Sequence, residues 1–121
     1  MERDLELLRQ IMLAVESSPT AFAPREIKIP GRSEEEVGYH QLLLIESGLA
    51  KGVETTAFGD SSPSGRIVRL TSAGHDFIAG ARDDGVWRGA LSRIASVGGT
   101  VTLAVLTQLL GDQLKKSLGL G

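Results

Sequence analysis

Apolar residues recur at helical spacing in the first segment. Between Asp4 and Ser17, Leu5, Leu8, Met12 and Val15 share one face, while Glu6, Arg9, Gln10 and Glu16 fall largely on the others. Asp4 stands where a helix N-cap is needed. Pro19, Pro24 and Pro30 then punctuate a non-helical stretch in which Glu26-Ile27-Lys28-Ile29 alternates with the period of a short strand, ended by Pro30 at a sheet edge. Ser33 precedes Glu36 by three positions just before an apolar run, the signature of a capping box. The helix it opens carries Val37, Leu44, Ile45 and Leu42 or Leu43 toward a core and stops at Gly48.

Strand-like sequence follows. Val53-Glu54-Thr55-Thr56, within Lys51 to Phe58, suits one strand and Arg66-Ile67-Val68-Arg69-Leu70 its antiparallel partner. Between them Gly59-Asp60-Ser61-Ser62-Pro63-Ser64-Gly65 is a polar turn cluster too long for a tight hairpin, and it is expected to project and move. Thr71 can cap a helix bearing Phe77, Ile78 and Ala81; Asp83-Asp84-Gly85 breaks it and leads into another with Val86, Trp87, Ala90, Leu91 and Ile94. At that spacing Trp87 reads as core packing, an interface anchor being the alternative. Gly98-Gly99 is the candidate hinge. Thr100 or Thr102 then starts a last helix with Leu103, Leu106, Leu110 and Leu114 on one face and Lys115 and Lys116 near its negative end. Leu118 to Gly121 reads as a frayed tail or a contact for a second subunit.

Composition narrows the function classes. Thirteen Lys and Arg stand against fifteen Asp and Glu, so nothing here holds a polyanion by charge alone. The chain contains no cysteine, which removes disulfides, thiol catalysis and thiolate metal sites. A charged amphipathic start, with no secretory h-region and no long apolar run, points to a cytoplasmic protein. His75-Asp76 invites comparison with metal phosphohydrolases, but His40 is the one other histidine and lies on a different helix, so no metal or catalytic site is assigned. Glu36 and His40, four apart, read as a pair on one helix face. No phosphate loop, dinucleotide fingerprint or nucleophile elbow is present, and no cofactor is expected.

The order helix, short strand, helix, strand, polar loop, strand, helix is that of a winged-helix domain, the loop being the wing. The run Val37 to Leu49, closing on Leu44-Ile45-Glu46-Ser47-Gly48-Leu49, resembles the recognition helix of small bacterial winged-helix repressors, and Arg69-Leu70-Thr71-Ser72-Ala73-Gly74 is similar to the phrase that follows the wing in them. Over nearly its whole length the chain also resembles a small bacterial and prophage family known as a domain of unknown function. The residues that carry this are the start Met1 to Arg9, the helix Ser33 to Leu49, and the run Arg69 to Phe77 continuing through Arg82-Asp83-Asp84-Gly85-Val86-Trp87. That resemblance implies a winged-helix-like fold and a mobile-element setting, and no activity. Too few residues separate the Ile27 strand from Glu36 to hold the first helix of the usual helix-turn-helix pair, which is therefore missing or merged.

The expected architecture is α+β and mostly helical: a winged-helix-like domain with trailing helices over residues 1–97, and a C-terminal helix over 98–121 that serves dimerisation. The expected function is non-enzymatic, protein–protein contact as a regulator or inhibitor of host machinery, with Glu34, Glu35, Tyr39 and His40 facing a basic partner. The alternative is a dimeric DNA-binding transcriptional regulator, in which Tyr39, His40 and Gln41 meet base edges and Arg32, Lys51, Arg66 and Arg69 meet phosphates. Against it, the helix carries Glu34, Glu35, Glu36 and Glu46 and no Lys or Arg. Acids in a first turn are also explained by the helix dipole, each worth about 0.3–1 kcal/mol.

Overall fold

The structure, a computed structural model, describes residues 1–98 and 101–120. The fold is α+β, and among the described residues it has five helices and one two-stranded antiparallel sheet. The chain forms two compact units, Met1–His75 and Asp76–Gly121.

The first unit opens with α1 (Leu5–Glu16), capped by Asp4, whose carboxylate accepts from the Leu7 N–H at 3.1 Å. Its buried stripe is wider than the expected one. Leu7 and Ile11 are fully buried beside Leu8, Met12 and Val15, whereas Leu5 is half-buried. Arg9, expected on the polar face, is also buried and pairs with Glu6 at 3.1 Å. Helix α2 (Glu34–Glu46) starts at the expected capping box and ends at Gly48, whose φ of 81° is the left-handed conformation glycine adopts without strain.

Strands β1 (Ala50–Glu54) and β2 (Gly65–Leu70) pair with Ala50 opposite Leu70, Lys51 opposite Arg69, Gly52 opposite Ile67, Val53 opposite Arg66 and Glu54 opposite Gly65. The register slips by one between Lys51 and Gly52, so Val68 is a bulge. The sheet lies on α2, and α1 packs on α2 and β2. Contact between β2 and α2 is close because Gly65 has no side chain: a Cβ there would stand 2.8 Å from Leu42 Cα.

The strand expected over Glu26–Ile29 is not formed. Its alternation survives as burial, Ile27 and Ile29 inward and Glu26 and Lys28 outward, but without a ladder. The reason is that the free edge of β2 is already engaged. The Ile67 N–H donates to the Gln41 side-chain oxygen at 3.1 Å, and the Val68 carbonyl accepts from the Ala23 N–H at 2.8 Å. Pro24 and Pro30 at the flanks supply no N–H of their own.

Helix α3 (Ser72–Ala81) follows β2 directly, its first turn held by Thr71, whose hydroxyl accepts from the Gly74 N–H at 3.0 Å and donates to the Gly48 carbonyl at 2.7 Å. The second unit contains its later residues together with α4 (Asp84–Ser96) and α5 (Leu103–Ser117), capped by Asp83 and Thr102. Trp87 is buried and meets Phe77 edge-on, ring centroids 6.3 Å apart. Leu103, Leu106 and Leu110 face the same core, and Leu114 is half-buried. Gly80 lets α5 approach, since a Cβ there would lie 2.9 Å from that of Leu110. Gly98 ends α4 with a φ of 67°; Gly99, Thr100 and Gly121, part of the expected hinge, helix start and tail, lie outside the described residues.

Two glycines give opposite expectations. Gly65→Ala forces a methyl against α2 backbone, which cannot yield, and is expected to destabilise the fold by about 1–3 kcal/mol. Gly111→Ala, in α5 with nothing within 4 Å of its would-be Cβ, is expected to stabilise by about 0.5–1 kcal/mol through helix propensity. Thermal unfolding of the two variants beside the wild type checks both signs.

Candidate functional site

At the start of α2, Arg32 and His40, expected to meet a partner, and Glu36, expected to pair with His40, are turned to internal work. Arg32 bridges two carboxylates, Asp4 at 2.7 Å and Glu36 at 3.3 Å. Glu36 closes the capping box, accepting from the Ser33 N–H at 3.3 Å while its own N–H donates to Ser33 Oγ at 3.0 Å. His40 is buried, at 1% exposure. Its Nε2 accepts from the Asp4 N–H at 2.9 Å, and its Nδ1 lies 2.8 Å from the Glu36 carbonyl. Since a backbone N–H can only donate, Nε2 is the bare nitrogen, and the ring proton sits on Nδ1 and donates to the carbonyl. The Glu36–His40 side-chain pair expected from their spacing is therefore replaced. His40 meets the backbone of Glu36, whose carboxylate goes to Arg32 and Ser33. Gln41 is also buried, on the edge of β2.

These bonds set the acid response of the joint. Burial raises the Asp4 pKa, but the hydrogen bond from the Leu7 N–H and the hydrogen bond and charge of Arg32 outweigh it and hold the carboxyl below 3.8. Glu36 is held below 4.5, first by the Ser33 N–H and then, against a smaller desolvation effect, by Arg32 and the Ser33 side chain. Arg32 is raised in turn, first by its hydrogen bond to Asp4.

What remains exposed forms a different surface. Glu34 and Glu35 are exposed in the first turn of α2; Tyr39 is half-buried and presents its ring edge-on to His40, centroids 5.7 Å apart. The loop between β1 and β2 leans on that turn. Ser61 Oγ donates to the Glu35 carboxylate at 3.1 Å, and Ser64 packs where Gly38 leaves room, 3.1 Å from the position of its absent Cβ. The loop expected to project and move is braced. At its base the Thr55 N–H donates to the Ser64 carbonyl at 2.9 Å, and the two side-chain hydroxyls meet at 2.8 Å. At its apex the Ala57 N–H donates to the Asp60 carboxylate at 2.7 Å and the Asp60 N–H returns to the Ala57 carbonyl at 3.1 Å, with Gly59 at a φ of 93°. Inside that turn Phe58 stands fully exposed.

Sequence reasoning did not single out Phe58 or Ser61. The available signal was Asp60 three residues after Ala57, a side chain able to close its own turn. Lys51, Arg66 and Arg69 are exposed on the hairpin, Lys51 and Arg69 as cross-strand neighbours, and Arg69 donates to the Leu70 carbonyl at 3.1 Å. A shallow groove of about 250 Å³ beside the hairpin is lined by Arg25, Glu26, Glu34, Thr55 and Arg66 among others. Among the described residues no three His, Asp or Glu side chains come together as a metal-ligating group, and His75 and Asp76 are exposed on α3. No helix among the described residues is long and apolar enough to cross a membrane.

His40→Ala strands the Asp4 N–H inside the fold and is expected to cost about 1–3 kcal/mol in denaturant unfolding. Because the Asp4 and Glu36 carboxyls titrate lower in the folded chain than in the unfolded one, their stabilisation is complete well above pH 4.5 and is lost as the pH falls through and below 4.5 and 3.8. Arg32→Ala is expected to lower stability at neutral pH and to flatten this acid limb, checked by unfolding midpoints between acid and neutral pH.

An uncharacterized protein of Haemophilus influenzae (strain ATCC 51907 / DSM 11121 / KW20 / Rd) is 30% identical over 113 residues, covering 90% of this chain and 92% of that one. No solved structure matches the chain. The family described as "Hypothetical protein (DUF2513)" matches residues 2–100, which take in the α2 joint, the braced hairpin and α4, and the chain belongs to that family.

Proposed function

We propose that the chain is a winged-helix-like, non-enzymatic binding protein that acts by contact with another protein, as a regulator or inhibitor, through the β1–β2 loop and the first turn of α2. The carrying observation is Phe58, a phenyl ring held wholly in water at the apex of a hydrogen-bonded loop. Burying such a ring in a partner is worth about 1.5–3 kcal/mol, and the ordering cost that usually offsets it is already met within the free protein. Glu34, Glu35, Glu54 and Asp60 surround the loop, and no Lys or Arg occurs between Gly52 and Gly65. The fitting partner therefore offers an apolar pocket with a basic rim. The element order α1, α2, β1, β2 supports the winged-helix-like part, as does the Ala23 to Val68 hydrogen bond where a third strand would lie.

The second reading, a dimeric DNA-binding regulator, draws on the exposed Lys51, Arg66 and Arg69. It asks α2 to enter a groove with Glu34 and Glu35 leading and with His40 and Gln41 turned inward.

The test is capture from a bacterial lysate with the tagged chain, with and without nuclease, followed by mass spectrometry and sequencing of retained DNA. A protein that survives nuclease, is lost with Phe58→Ser and with Glu35→Lys, and is kept with Arg66→Ala plus Arg69→Ala is the expected result. A defined DNA fragment, released steeply by salt and lost in the arginine variant, would overturn it.

A further inference from the structure

The outer face of α5 carries a stripe that the core of its unit does not use. Val105, Gln108, Asp112 and Lys115 follow at intervals of three, four and three residues, the spacing of a helix–helix seam. That spacing keeps them on the side opposite the buried Leu103, Leu106 and Leu110. One groove along this face, about 460 Å³, is lined by the four residues with Leu109 and Gly111. It adjoins an apolar groove of about 580 Å³ between the end of α4 and the start of α5, lined by Ile94, Val97, Val101, Val105 and Leu109 with Arg93 at its side. Val97 is 80% exposed and Val105 43%. At the other end of α5 a left-handed Gly119 closes the helix, with the Leu120 N–H on the Lys115 carbonyl at 2.8 Å and the Gly119 N–H on the Lys116 carbonyl at 3.1 Å. At that closure Leu118 and Leu120 are exposed.

The spacing of the stripe is symmetric about the level of Leu110. Two α5 helices packed antiparallel on a two-fold axis there set Gln108 against the partner's Asp112, Val105 against the partner's Lys115, and Val101 beside the partner's Leu118 and Leu120. Each pair is complementary. An amide N–H meets a carboxylate, and a lysine stem covers a valine while its ammonium stays in water. The two leucines meet the apolar α4–α5 groove. Arg93, 3.9 Å from Asp112 in the same chain, adds positive charge beside the carboxylates near the axis. A parallel pair would instead set Asp112 against Asp112 and Lys115 against Lys115, like charges face to face.

We propose that this face of α5 is a self-association surface. A second copy of the chain packs antiparallel on Val105, Gln108, Asp112 and Lys115, and the Leu118–Leu120 tip of each copy enters the α4–α5 groove of the other.

Sedimentation velocity of the full chain between about 1 μM and about 1 mM tests this, with a reversible monomer–dimer equilibrium expected in that range. Gln108→Asp creates two Asp–Asp pairs across the axis and is expected to weaken the dimer about tenfold or more. Adding Asp112→Gln exchanges donor and acceptor across the same axis and restores it. Positions 108 and 112 are exposed, so at concentrations where the wild type is monomeric the circular dichroism spectrum should stay that of the wild type. A monomer at every concentration, a dimer indifferent to Gln108→Asp, or a double variant no tighter than the single one would each overturn the proposal.

Discussion

Helix α2 is tied to the start of α1 by the joint at its N-terminus, made of one arginine, two carboxylates and an imidazole. Arg32 alone would be a surface cation of little consequence. Here it is one member of a closed set. Asp4 caps α1, receives Arg32 and donates its own N–H to His40; His40 returns to the carbonyl of Glu36; Glu36 closes the capping box and receives Arg32. The orphan N–H groups at two helix starts are satisfied by the same residues that bring those starts together. The sheet through Gly65 and the loop through Glu35 lean in turn on the helix that this set holds.

The three successive glutamates of α2 illustrate how one local preference serves several ends. All three favour the positive end of the helix dipole. Glu36 is spent on the cap and on Arg32, Glu35 braces the loop, and Glu34 lines the groove beside the hairpin. An acidic face beside an exposed aromatic is the result. The Asp76–Gly121 unit follows a simpler logic of helix packing, with Trp87 and Phe77 edge to edge and Gly80 admitting Leu110. Its outer α5 face is polar in the middle and apolar at both ends, an arrangement that core packing does not require.

Much of this was legible in the sequence wherever the cause is local. Asp4, Ser33 with Glu36, and Thr102 are caps because a short side chain meets an N–H three residues on, a contact independent of the rest of the fold, and Asp83, read in the sequence only as part of a break, caps α4 in the same way. The end of α2 at Gly48 and the leucine stripe of α5 follow from equally short-range rules, whereas the first strand runs over Ala50–Glu54 and leaves out Thr55 and Thr56, which its β-favouring pattern included.

Other features needed partners far along the chain. Glu26–Ile29 has the alternation of a strand, yet a strand exists only where an edge is open, and Gln41 and Ala23 already occupy the edge of β2. His40 and Gln41 are polar residues on a helix, and nothing within α2 says that Asp4 and Ile67 will come to meet them. Phe58 is the converse, an apolar residue left in water because its turn is closed by Asp60 and its loop is held by Glu35. The sequence by itself determined where helices and turns begin and end, because those depend on neighbours a few bonds away. Which side chains are inside, which are paired and which stay in water was decided by the tertiary structure, because burial and hydrogen-bond satisfaction belong to groups that meet only when the chain has folded.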